Sequence, residues 1–264
     1  MKTYKHWFAD TPSIMIDGES VTIKLLAGSD VSKDDARRLL LERAEQIENR
    51  IQRKAGIDEY ESEIKEAIAQ EIDVHNVITV CRYGALILNT TQYSVYDLDS
   101  YHKSMFDFFG SMRHMSLKQR IAHKFKINAA KIPELGSSFR IYETSKGIRV
   151  IGKHYLDPSH KRFMKIMLAL CADYTYSILC IKQRCFRARL TPKPYRMKID
   201  TYKVLSPLEC ETASYQSWAA MYASEAQAFS VVKLIEAIGE DFSHEPVIAE
   251  HDRRCNMSAG LKLA

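Results

Sequence analysis

No apolar run in the 264 residues is long enough to cross a bilayer, and the opening Met1-Lys2-Thr3-Tyr4-Lys5-His6-Trp7 lacks the apolar segment of a secretory signal. A cytoplasmic protein with no membrane partner is expected. The six cysteines, Cys81, Cys171, Cys180, Cys185, Cys210 and Cys255, are scattered without a C-x-x-C pair. That spacing signals neither a zinc ribbon nor a disulfide scaffold, and reduced, mostly buried thiols are expected. P-loop, Rossmann glycine and zinc-protease signatures are missing too, which removes several common enzyme classes. Between Arg113 and Lys131 the chain carries no acid at all. A basic balance concentrated in one region is the footprint expected of a polyanion partner, and the formal net charge of +5 agrees in sign.

What is present is an ordinary globular composition, 46% hydrophobic and 27% charged, enough to bury a sizeable core. Ser20 to Leu26 alternates as a strand does. Ser32-Lys33-Asp34-Asp35 then reads as a helix N-cap with an acidic third position, followed by Leu39, Leu40, Ala44, Ile47 and Ile51 at helical spacing. A second helix is expected through Tyr60, Ile64, Ile68 and Ile72, giving an N-terminal strand and helical layer over residues 1–76. Strand periodicity takes over in Val77–Tyr83, Ala85–Leu88 and Ser94–Asp99. Tyr101, Phe106, Phe108 and Phe109 read as core.

Ser116 is a candidate N-cap for a basic amphipathic helix containing Arg113, Lys118, Arg120, Lys124, Lys126 and Lys131, either a solvated face or a phosphate-binding surface. Phe139–Ile151 reads as a hairpin whose turn, Thr144-Ser145-Lys146-Gly147, offers hydroxyl, N–H and ammonium donors of the kind that hold phosphate. Asp157-Pro158 is expected to open a helix bearing Phe163, Met167 and Leu170, and a further helix begins near Tyr176. In Phe186-Arg187-Ala188-Arg189 the two arginines share one face of an extended segment, and Pro192 and Pro194 keep the following Lys193 and Arg196 projecting. Ser214–Gly239 is read as one long helix with a core stripe of Tyr215, Trp218, Tyr222, Phe229 and Val232. Glu250-His251-Asp252-Arg253-Arg254 holds groups able to ligate a metal or a phosphate. The expected domains are 1–76, a core at 77–205, and a C-terminal helix and tail at 206–264.

The chemistry concentrates at Tyr96-Asp97-Leu98-Asp99. Strand alternation puts both carboxylates on one face, a hard-oxygen cradle suited to Mg²⁺ or Mn²⁺, although a solvated strand end has the same pattern. The order of features resembles the archaeo-eukaryotic primase superfamily over roughly residues 77–200. Tyr96-Asp97-Leu98-Asp99 matches its hydrophobic-Asp-hydrophobic-Asp strand, Thr144–Arg149 resembles its small-residue hairpin, Ala172-Asp173 stands for its further hydrophobic-Asp, and Phe186–Pro194 is similar to its basic segment.

The resemblance implies an α+β fold with an RRM-like palm, an antiparallel sheet packed by helices, preceded by a helical N-terminal region. It implies a primase-polymerase-like nucleotidyltransferase in which Asp97, Asp99 and Asp173 hold Mg²⁺ or Mn²⁺. Ser145, Lys146, Arg149, Arg187, Arg189 and Lys193 would hold a nucleoside triphosphate. Arg113, Lys118, Arg120, Lys124, Lys126 and Arg196 would hold a DNA or RNA template. Arg149 stands where the superfamily has a histidine; arginine contacts phosphate but cannot shuttle a proton. The alternative is a catalytically inactive palm that binds nucleic acid or nucleotide.

Overall fold

The computed structural model describes residues 1–16, 18–52, 62–103, 111–257 and 260–264. In chain order its elements are β1 (His6–Asp10), β2 (Ser13–Ile16), β3 (Glu19–Thr22), β4 (Leu25–Ser29), α1 (Lys33–Gln52), β5 (Ala67–Asp73), β6 (Asn76–Val80), β7 (Leu86–Thr90) and β8 (Ser94–Leu98). They continue with α2 (Leu117–Ala129), β9 (Phe139–Thr144), β10 (Ile148–Gly152), α3 (Phe163–Ala169), α4 (Tyr174–Gln183), β11 (Phe186–Arg189), α5 (Ala213–Ala226), β12 (Phe229–Ser230), β13 (Val232–Ile238), α6 (Pro246–Arg254) and β14 (Lys262–Leu263). The α+β class expected from the sequence is what the chain forms. No helix among the described residues is long and apolar enough to cross a membrane.

Two four-stranded antiparallel sheets position the site, one ordered β13-β9-β10-β8 and the other β11-β7-β6-β5. Directly paired residues share a face. Asp97 opposes Arg149, which opposes Tyr142, so these three look out from one side of the first sheet. Tyr96, Val150 and Ile141 look out from the other side, where Phe125 of α2 meets Tyr96 at a centroid distance of 6.3 Å and Phe139 at 5.3 Å. That second face is the main core, with Phe163 of α3 and Phe186 of β11 also inside it. Leu98 is buried there, as alternation with the two aspartates requires.

Helix starts follow their caps. Ser32 Oγ accepts the Asp35 N–H at 3.0 Å, and α1 turns Ala36, Leu40 and Ala44 inward. Ser116 and Gln119 complete a reciprocal capping box at the start of α2.

Four expectations are corrected. The strand read from Ser20 to Leu26 is broken into β3 and β4 at Ile23, whose N–H bonds Pro12 O instead. Residues 67–73 form β5, not helix. Ile64, Ile68 and Ile72 are four apart, an even spacing that satisfies a period of two as well as a helix, and β6, buried at all five positions, supplies a partner. The boundary expected at residue 76 therefore falls inside the β5–β6 hairpin. Asp157 caps no helix; its Oδ1 accepts the Ser159 N–H in a local turn, and α3 starts at Phe163. The long C-terminal helix stops at Ala226, and 232–238 become β13, whose alternating burial lets it close the open edge of β9. Tyr101 is buried as expected, whereas Phe106, Phe108, Phe109 and Tyr60 lie outside the described residues.

The two sheets meet edge to edge at β8 and β11. Here a side chain replaces the backbone ladder: the Tyr176 hydroxyl of α4 lies 3.0 Å from both Val95 O and Arg187 O, and accepts the Arg187 N–H at 3.2 Å. Just beyond that bridge lie Asp97 and Arg189.

Candidate functional site

Asp97 and Asp99 do stand together at the end of β8, but in different electrostatic states. Arg149, directly across the ladder, holds Asp97 in a two-pronged pair, Nε to Oδ1 at 2.8 Å and Nη2 to Oδ2 at 3.1 Å. Such a fork-to-fork pair is strong and directional. Burial works to raise the Asp97 carboxyl, and the Arg149 guanidinium more than offsets it, so the group is held below its ordinary value. Asp99 is exposed.

Arg149 is 1% exposed. Its remaining nitrogen, Nη1, donates to Arg189 O at 2.7 Å and lies 3.3 Å from His251 Nε2. His251 Nδ1 lies 2.8 Å from Asp252 Oδ1, the geometry of an Nδ1–H donating to the carboxylate, and Nε2 also lies 3.6 Å from Cys255 Sγ. Burial and the Arg149 guanidinium oppose a second proton on the ring, and Cys255 and Asp252 more than offset them, holding His251 above its ordinary value, at about 9. Asp252 Oδ2 in turn accepts from Arg140 Nη2 at 2.7 Å, and Arg140 Nε donates to the Tyr142 hydroxyl at 2.7 Å. A buried chain of charges therefore runs from Arg140 through α6 to the end of β8, and it orients Arg149. The Glu250–Arg254 run, a ligand candidate in the sequence, supplies this brace. Val247, Ile248, His251 and Cys255 all face inward at helical spacing, the one sequence signal that marked His251 as buried.

Around the pair lies a polar cavity of about 140 Å³, lined by Asp97, Asp99, Thr144, Lys146, Arg149, Arg189, Lys193 and Arg196. Five cations face two carboxylates there, and one carboxylate is already neutralised. Arg189 projects from β11 on the face opposite Phe186 and Ala188, and its Nε is buried without a hydrogen-bond partner among the described residues. Burial and the neighbouring Arg149 both push the Arg189 guanidinium below its ordinary pKa, and burial and Arg189 do the same to Lys193. Buried polar groups are paired as a rule, so such a cluster has the chemistry that suits an anion. The segment after β11 is pinned: Thr191 Oγ1 accepts the Leu86 N–H at 2.9 Å, and the Tyr222 hydroxyl contacts Pro192 O at 2.6 Å.

The β9–β10 turn presses on Leu98 and Asp99. A Cβ at Gly147 would fall 2.1 Å from Leu98 O and 2.8 Å from both Asp99 Cα and Oδ1. Backbone must move to admit it. Gly147→Ala is expected to cost about 1–3 kcal/mol in a denaturant melt, as overpacking does, because the turn must move away from Leu98 and Asp99.

The other expected site residues go elsewhere. Ser145 is half-buried in the turn and does not line the cavity. Asp173 caps α4, accepting the Tyr176 N–H at 2.7 Å. Arg187 reaches Glu66 at 2.5 Å, Lys118 holds Glu143 and Thr144 O at 2.7 Å each, and Lys126 pairs with Glu236 at 2.9 Å. Arg120 donates to Met112 O and Arg113 O, Arg113 is itself exposed, and Lys124 lines a separate pocket with Tyr101, His102 and Asn128. Thus much of the charge on and before α2 is spent on neighbours. Among the described residues no group of three His, Cys, Asp or Glu side chains is placed to hold a metal ion. With Asp97 bound to Arg149 and Asp173 capping a helix, the expected carboxylate trio does not fit a divalent ion as arranged. No family model, curated protein or solved structure matches the chain.

Proposed function

We propose that the chain binds the phosphate groups of a nucleotide or of a nucleic-acid strand in the cavity between β8 and β11, with Arg189, Lys193, Arg196 and Lys146 as its donors and Arg149, committed to Asp97, behind them. The observation that carries this is the buried Nε of Arg189, which has no hydrogen-bond partner among the described residues and lines the cavity with Lys146, Lys193 and Arg196. The placement of β8 between β10 and β11, in the succession β8–α2–β9–β10–α3–α4–β11, also supports a palm-like, split βαβ arrangement.

A second reading, metal-dependent nucleotidyl transfer, draws on Asp99, which is exposed beside Asp97 on the same cavity. It requires Arg149 to release Asp97.

Calorimetric titration with ATP and with a short single-stranded DNA, in EDTA and across a salt series, separates the two. Binding that persists in EDTA, weakens steadily with salt and is no weaker in Asp99→Ala, which removes a negative charge from the cavity, is the expected result. Binding that needs Mg²⁺ or Mn²⁺ and disappears in Asp99→Ala, together with primer extension, would replace it with the transferase.

A further inference from the structure

Beside the phosphate cavity the chain displays an aromatic ring that the core does not use. Pro192-Lys193-Pro194-Tyr195-Arg196 closes into a single 3₁₀ turn over Pro194–Arg196, in which Pro192, Pro194 and Met197 are buried while Tyr195 is left 59% exposed. Lys193 Nζ and Arg196 Cζ lie over the ring at 5.9 and 5.8 Å from its centroid, the outer range of a cation–π contact, and the side chain keeps its 59% exposure beside them. Both cations also line the cavity. The phenol is drawn below its ordinary pKa, slight burial being outweighed by Arg196, Lys193 and Lys146. Tyr195 is flanked in sequence by two lining residues of the cavity, Lys193 and Arg196, and Lys146 of the β9–β10 turn lines the same cavity.

We propose that Tyr195 is a stacking platform for a nucleobase whose phosphates occupy the cavity, so that the site selects nucleotides over inorganic polyphosphate. This rests on the phosphate reading above. A ring in this position suits the task physically. Two prolines and the buried Met197 hold its backbone before a ligand arrives, so little ordering is lost on binding, and the flanking cations serve the base and its phosphates together. An aromatic face accepts any base, because each has a π-face; no preference among the four is expected.

The test compares ATP, CTP and inorganic tripolyphosphate by calorimetry in EDTA, for the wild type, Tyr195→Ala and Tyr195→Phe. Expected is tighter binding of both nucleotides than of tripolyphosphate, a loss of about 5- to 150-fold for the nucleotides alone in Tyr195→Ala, and retention in Tyr195→Phe. Quenching of a 2-aminopurine nucleotide that vanishes in Tyr195→Ala gives the same answer spectroscopically. Equal affinity for nucleotide and tripolyphosphate in the wild type, or a preference surviving in Tyr195→Ala, overturns the platform and leaves the phosphate site standing. No tripolyphosphate binding at all overturns the phosphate site, and the platform with it.

Discussion

Asp97→Ala is expected to destabilise the fold by about 2–3 kcal/mol, before any question of activity arises. Removing the carboxylate leaves Arg149, 1% exposed, as an uncompensated buried cation. Breaking such a pair costs about 3–5 kcal/mol when both partners are buried. The Asp97 side chain is 44% exposed, so solvent relieves part of the penalty and the lower figure applies. For a chain of this size the midpoint falls by about 4–12 °C. Arg149→Met in the same background removes the stranded charge, and the double variant should melt no lower than Asp97→Ala alone. A double variant that loses the two single costs added together would refute the pairing.

The same pair sets an acid limit. The Asp97 carboxyl is lower in the folded chain than in the unfolded one, so its contribution is complete above the unfolded value near about 3.9 and is lost as pH falls through the lowered folded value. Asp252 behaves likewise: burial raises it, and His251 and Arg140 lower it by more. Wild-type stability should therefore fall below about pH 4, with a shallower fall in Asp97→Asn/Arg149→Met. A practical consequence follows for activity assays. Asp99→Ala, at an exposed position, reports on a metal requirement, whereas loss of activity in Asp97→Ala also reports on folding.

Arg189→Met should separate binding from stability in opposite directions. The substitution keeps most of the apolar stem while deleting a guanidinium that burial and Arg149 both disfavour. Free of ligand, the variant should melt at or above the wild type, since a lowered pKa on a base means its charged form is destabilised by the fold at every pH below that value. Affinity for tripolyphosphate or ATP should fall about 10- to 100-fold, the worth of one charge-assisted contact in a partly desolvated site. Such a trade of stability for function is the signature of a binding residue. A variant that melts lower and binds within twofold of wild type would instead make Arg189 a structural support of β11.

The Asp97–Asp99 strand, the Phe139–Ile151 hairpin, the Ser116 cap and the paired faces of Arg187 and Arg189 were all legible in the residues, because each is set by a period or a cap a few residues long. Ile64–Ile72 was not. A spacing of four serves helix and strand alike, and only the open edge of β6 decides between them. The stretch after Ala226 was misread for a related reason: its apolar residues extend the α5 stripe, while β9 needed a neighbour. Charge was harder still to assign. Arg187 and Arg189 are equivalent in sequence, two residues apart on one face, yet one meets Glu66 and the other lines a cavity where its Nε has no hydrogen-bond partner among the described residues.

By itself, then, the sequence determined the α+β class, the local elements with short-range signals, and the small set of residues among which the site would be found. The tertiary structure decided which of them act together. It joined β8 to β11 through Tyr176, gave Asp97 to Arg149 and left Arg189, Lys193 and Arg196 around one cavity. The reason is that periodicity and capping act over a few residues, whereas a charge takes its partner from whatever the fold brings within about 4 Å, however far along the chain that partner lies.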